Sequence, residues 1–133
     1  MESKDLRIGN LLENMGDIIK VEYLDKSLVK GVYHRVDTYN TSIRLKQCNP
    51  ILLTEEWLRN MGFTGDGNMN ILVNSRIILE YDSHYNTVEL YSLGFKANLH
   101  LEVKYVHQLQ NIYFALSGEE ISFNGGIQGK NDK

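Results

Sequence analysis

Between residues 26 and 46 five cations, Lys26, Lys30, Arg35, Arg44 and Lys46, stand against the single acid Asp37, in a chain whose net charge is −3. Tyr33, His34 and Tyr39 are interleaved with them. Guanidinium and ammonium groups bind phosphate oxygens, arginine through a two-donor fork, and tyrosine faces stack on a base or cap a ring. The mixture points to a concave site for a small phosphorylated anion, such as a nucleotide. Lys30, Arg35, Arg44 and Lys46 would meet the phosphate, Tyr33 and Tyr39 would stack, and His34 would lie beside them. The same pattern also suits a solvated hairpin face whose lysines discourage edge-to-edge pairing.

The other reactive residue types form no catalytic pattern. His34, His84, His100 and His107 make no His-Glu-x-x-His pair and have no metal-ligand spacing with the single cysteine, Cys48. Glu55-Glu56 is better suited to a helix N-terminus than to an acid/base dyad, and Glu119-Glu120 has no dyad spacing. Gly125-Gly126-Ile127-Gln128-Gly129-Lys130 falls one residue short of a phosphate loop, with Asn131 where a hydroxyl is needed. The expectation is a non-enzymatic binding protein with no cofactor and no metal. A net negative chain does not coat nucleic acid in general. One cysteine allows no intramolecular disulfide. No secretory leader is legible at Met1-Glu2-Ser3-Lys4-Asp5 and no apolar run is long enough for a membrane span. A cytoplasmic, soluble protein is the expectation.

A chain of 133 residues allows a single domain. Runs rich in β-branched and aromatic residues (Ile18 to Leu24, Leu28 to Val36, Ser42 to Leu45) are separated by Met15-Gly16-Asp17, Asp25-Lys26-Ser27 and Tyr39-Asn40. That punctuation predicts an N-terminal β-meander or small barrel. Thr54 as N-cap, Glu55 and Glu56 in the first turn, and Gly62-Phe63 past the end predict a two-turn helix with Trp57, Leu58 and Met61 inward. Arg76 to Asp82, Thr87 to Leu93 and the alternating Lys96 to Val103 predict a three-stranded antiparallel sheet. Tyr105 to Leu116 predicts an amphipathic helix packed on it. The fold class is α+β, with one domain over 1–118 and a flexible tail over 119–133.

Phe114 falls about 80° outside the apolar arc of that last helix, near His107 and Gln110. A large aromatic there wants cover, from a neighbouring loop or from a second subunit, since aromatics are enriched at interfaces. Under the second reading His107, Gln110 and Phe114 form the interface of a homo-oligomer, within which protomers could share a pocket. A protein-binding module that acts on a host factor through this helix is the alternative function.

Three stretches are distinctive: Leu6-Arg7-Ile8-Gly9-Asn10; Pro50-Ile51-Leu52-Leu53-Thr54-Glu55-Glu56-Trp57-Leu58 with Gly62-Phe63; and Lys104-Tyr105-Val106-His107-Gln108-Leu109-Gln110-Asn111 with Tyr113-Phe114-Ala115-Leu116 and Gly118-Glu119-Glu120. Together they resemble a family of short proteins from Bacteroides-group bacteria and their phages and prophages. The resemblance implies a phage or prophage setting without implying a reaction. In that setting, sequestering a host nucleotide signal, as a counter-defence sponge, needs a positive, aromatic pocket and no catalytic residue.

Overall fold

A computed structural model describes residues 1–33, 40–74, 77–92 and 95–123. Four strands, β1 (Leu11–Asn14), β2 (Asp17–Leu24), β3 (Leu28–Tyr33) and β4 (Asn40–Arg44), make an open antiparallel meander in the order β1-β2-β3-β4. The sheet does not close on itself, so the meander rather than the barrel is realised. Its turns follow from local chemistry. Met15 and Gly16 both have positive φ, which suits a two-residue hairpin between Asn14 and Asp17. Asp25 Oδ1 accepts from the backbone amides of Ser27 and Leu28, each at 2.9 Å, and so folds the β2–β3 turn.

Helix α1 (Glu55–Asn60) starts where Thr54 Oγ1 accepts from Trp57 N at 3.2 Å. It ends in a left-handed Gly62, with Phe63 N donating back to Leu58 O at 2.9 Å. A second sheet follows in the order β5-β6-β7-β8-β9: β5 (Thr64–Asp66), β6 (Met69–Val73), β7 (Ile78–Asp82), β8 (Thr87–Ser92) and β9 (Phe95–Glu102). Five strands replace the three expected. Helix α2 (Val106–Ser117) closes the fold and stops at the left-handed Gly118.

Two cores result, and β1 is the wall between them. Adjacent residues of a strand face opposite sides, so Leu12 enters the core of the first sheet with Ile19, Val21, Val29 and Leu45, while Leu11 enters the second. There it joins Leu58, Phe63, Leu79, Val106 and Leu109. Ile121 is buried in this second core, and Phe123 stands edge-on to Trp57 with ring centroids 5.8 Å apart. The domain therefore runs to residue 123 among the described residues. The boundary expected at 118 is too early because Ile121 and Phe123, though few, find an apolar groove ready to receive them.

Tyr81 in the second core illustrates what burial does to an ionisable group. Its hydroxyl lies 2.8 Å from Val103 O, and burial, with Asp82 adding repulsion, pushes its pKa up to about 12. The folded chain thus holds a proton that an unfolded tyrosine releases near pH 10. Stability should be intact below pH 10 and fall between pH 10 and 12. Absorbance titration at 295 nm should show a late ionisation step, and Tyr81→Phe should remove the part of it that Tyr81 contributes.

Candidate functional site

The N-terminal segment runs back across the first sheet. Ser3–Asp5 forms a single 3-10 turn, and Leu6 anchors it in the first core. On the other side, the register Leu28↔Arg44 and the bond from Leu45 N to Ser27 O at 2.8 Å hold the β2–β3 turn beside the end of β4. A short 3-10 turn, Leu45–Gln47, then carries Lys46 past that edge. These three segments enclose an open cleft of about 860 Å³.

Four cations line it: Lys4 from the N-terminal turn, Lys26 from the hairpin, and Arg44 and Lys46 from β4 and its exit. Glu2 is the one carboxylate, 3.3 Å from Lys4 Nζ. Ser3 and Ser27 add hydroxyl-bearing side chains, and Leu28 an apolar floor. Asp25 stays outside this lining. Its backbone amide partners at Ser27 and Leu28 hold its carboxyl below the ordinary value, so it remains an anion devoted to the turn. The positive charge of the cleft is therefore left largely uncompensated, which is the electrostatic condition for holding an anion.

Only part of the expected ligand set is brought together. Arg44 and Lys46 are in the cleft. Lys30 shares the outer face of the sheet, pairing with Ser42 one step from Arg44, yet it does not line the cleft: its Nζ lies 5.0 Å from the Tyr23 ring centroid. Tyr33 is a correction. It lies three residues from Lys30 on the same strand, so its side chain emerges on the opposite face, and its hydroxyl donates to Asn14 Oδ1 at 2.9 Å. It cannot stack on a ligand held by Arg44 and Lys46. His34, Arg35 and Tyr39 lie outside the described residues.

The helix α2 residues are corrected as well. His107 is 4% exposed and Gln110 1%, so neither offers an interface surface. Gln110 is covered by the strap Leu6-Arg7-Ile8-Gly9-Asn10, whereas His107 stacks on Tyr105 and lies near Asp5 and Pro50. Gln110 Oε1 accepts from Leu11 N at 2.9 Å and from Asn10 Nδ2 at 3.3 Å, while its Nε2 donates to Gly9 O at 3.1 Å. Asn111 Oδ1 accepts from Arg7 Nε at 3.1 Å and Asn10 Nδ2 at 2.8 Å. Arg7 also pairs with both carboxylate oxygens of Glu120, and its guanidinium carbon sits 4.2 Å over the Phe114 ring. Phe114, still 38% exposed, thus has its cover from within the chain. The third distinctive stretch is stitched to the second in the same way: Leu53 N donates to Lys104 O and Val106 N to Ile51 O, both at 2.8 Å.

Beside the start of α2 lies a second cleft, of about 500 Å³, with Asp5, Pro50, Tyr105, His107 and Asn111 in its lining. Burial pushes the His107 imidazole below its ordinary pKa, opposed by the attraction of Asp5. Cys48 is buried and its thiol is pushed up, first by burial and then by Glu13, so it is not poised as a nucleophile. Among the described residues no three His, Cys, Asp or Glu side chains gather as a metal site, and no helix is long and apolar enough to cross a membrane.

Comparison with known proteins finds no family model that matches the chain and no significant match to a curated protein or a solved structure. The Bacteroides-group resemblance therefore rests on the three stretches quoted above, and the geometry gives all three a structural role at α2.

Sequence reasoning missed Lys4 as a member of the site. No local signal marks it, because the N-terminal turn is positioned by long-range contacts, Leu6 in the first core and Asn111 Nδ2 donating to Asp5 O at 3.2 Å. Lys26 did have a signal, its place in the cationic run, and its position in a tight turn next to a β4 partner could have been read from the hairpin.

Proposed function

We propose that this chain is a binding protein that retains a small phosphorylated ligand, such as a nucleotide signal, at the cleft formed by Lys4, Lys26, Arg44 and Lys46. The observation that carries the reading is the convergence of four cations from three separate chain segments with one carboxylate among them. Arginine offers a bidentate fork and lysine a mobile point charge, a pairing suited to a phosphate group. The cleft volume also accommodates a ligand of nucleotide size. A phage or prophage protein acting as a sponge for such a signal would retain its ligand without turning it over.

The competing reading, a host-factor inhibitor acting through the apolar and aromatic side of α2, finds that side occupied, since Val106, Leu109 and Tyr113 are buried in the second core. Calorimetry with a panel of linear and cyclic nucleotides, followed by chromatography of the recovered ligand, tests the proposal. Binding with the ligand returned intact is the expected result. No heat with any member of the panel, or a converted ligand, would overturn it.

A further inference from the structure

The cationic cleft carries more charge than one phosphate group can use. A phosphate monoester offers three acceptor oxygens and a charge of about −1.5 to −2 at neutral pH. Four cations against Glu2 leave a side-chain charge of +3 on the lining. The cations also come from different walls: Lys4 from the N-terminal turn, Lys26 from the β2–β3 turn, and Arg44 and Lys46 from the exit of β4. Leu45, between the last two, is buried in the first core and fixes the backbone from which both project. In a cleft of about 860 Å³ a single phosphate that meets Arg44 and Lys46 leaves charge on the other walls unmet. Two or more linked phosphates supply both the length and the charge to neutralise it.

The same lining gives a base nothing to stack on. Beside the cations it consists of Met1, Glu2, Ser3, Ser27, Leu28 and Leu45, none of them aromatic. Tyr23 shares the outer face of the sheet, paired with Lys30, whose other partner Ser42 lies two residues from Arg44. That ring is already engaged. Lys30 Nζ stands 5.0 Å from its centroid, and its hydroxyl donates to Asp25 Oδ2 at 3.1 Å. Recognition of a base calls for a stacking surface or a fixed set of donors and acceptors, whereas recognition of phosphate calls only for charge.

We infer that the cleft selects its ligand by the number of linked phosphate groups and is indifferent to the base, so that its ligand class is the polyphosphates, nucleoside di- and triphosphates among them. This inference rests on the phosphate-binding reading above and names the feature that the site recognises.

Calorimetry on the full chain, without divalent cations, uses adenosine mono-, di- and triphosphate, guanosine and uridine triphosphate, and inorganic tripolyphosphate. Each added phosphate should tighten binding about tenfold, as expected for one further charge-assisted contact. The three nucleoside triphosphates and tripolyphosphate should agree within about threefold. Affinity for the triphosphates should fall more steeply with salt than affinity for the monophosphate. Lys4→Ala combined with Lys26→Ala, at exposed positions outside the first core, should cost adenosine triphosphate about tenfold more than adenosine monophosphate. A monophosphate bound as tightly as a triphosphate overturns the selection by phosphate number. A preference among the three triphosphates beyond threefold, or a tripolyphosphate that binds more weakly than that, overturns the indifference to the base. Either result leaves the phosphate reading standing. No heat with any of the six overturns that reading itself.

Discussion

Gln110→Ala is expected to destabilise the folded chain by about 3 kcal/mol, the sum of several buried groups losing their partners at once. The side chain ties α2 to the strap and to the first residue of β1: it accepts from Asn10 Nδ2 and Leu11 N and donates to Gly9 O. Gln110 is 1% exposed and Asn10 fully buried, so water does not readily replace it. Each orphaned donor or acceptor costs about 1 to 3 kcal/mol, and the vacated volume adds a cavity term. Urea unfolding monitored by Trp57 fluorescence gives the value directly. Arg7→Ala makes a useful contrast. Its pair with Glu120 leaves the Glu120 side chain 47% exposed, and partly solvated ion pairs contribute about 1 kcal/mol or less. If Gln110→Ala were as mild as Arg7→Ala, the strap would be held by its ion pair and apolar anchor, and the account of the buried amide would be wrong.

The same strap explains which parts of the fold were legible in the sequence. Elements governed by local chemistry could be read: the Thr54 cap and Gly62 stop of α1, the Met15-Gly16 and Asp25-to-Ser27 turns, and the apolar arc of α2 each need only a few neighbouring residues. The strands β5 and β6 could not. β5 is only three residues long and includes Gly65 and Asp66, poor strand formers, so it is held by pairing with β6, which pairs in turn with β7. The burial of His107 and Gln110 was illegible for a related reason. A helical wheel places them on a polar side, and only a segment a hundred residues away in sequence turns that side into an interior. A hint was available, since a Gln-Asn pair opposite a Gly-Asn segment is the kind of side chain that satisfies exposed backbone groups.

In the candidate site the failure was different. Lys30 and Tyr33 were placed in one pocket although a separation of three residues on a strand sends side chains to opposite faces. Strand periodicity alone would have separated them. Arg44 and Lys46 do line one cleft, yet what joins them is the exit turn after β4 together with a backbone bond to Ser27, and neither is visible as a motif.

That geometry decides which cations should matter. Arg44→Ala combined with Lys46→Ala is expected to weaken binding of a nucleotide ligand by about 100-fold or more, taking charge-assisted hydrogen bonds at about 1.5 to 3 kcal/mol each and a factor of ten per 1.4 kcal/mol. Both side chains are exposed, and neither belongs to the cluster around Leu12, so the double variant should unfold at nearly the same urea concentration as the parent. Lys30→Ala removes an equal charge from the same sheet face but from outside the cleft. At the ionic strength of the cell, where screening sets in over about 8 Å, its effect should be only a few-fold and should fade as salt rises. Tyr33→Phe breaks the bond to Asn14 on the opposite face and should leave affinity unchanged. Titration calorimetry at two salt concentrations separates these cases. A Lys30 or Tyr33 effect as large as that of Arg44 with Lys46 would move the site away from the cleft, whereas a loss confined to the Arg44–Lys46 pair locates the phosphate between the N-terminal turn and the end of β4.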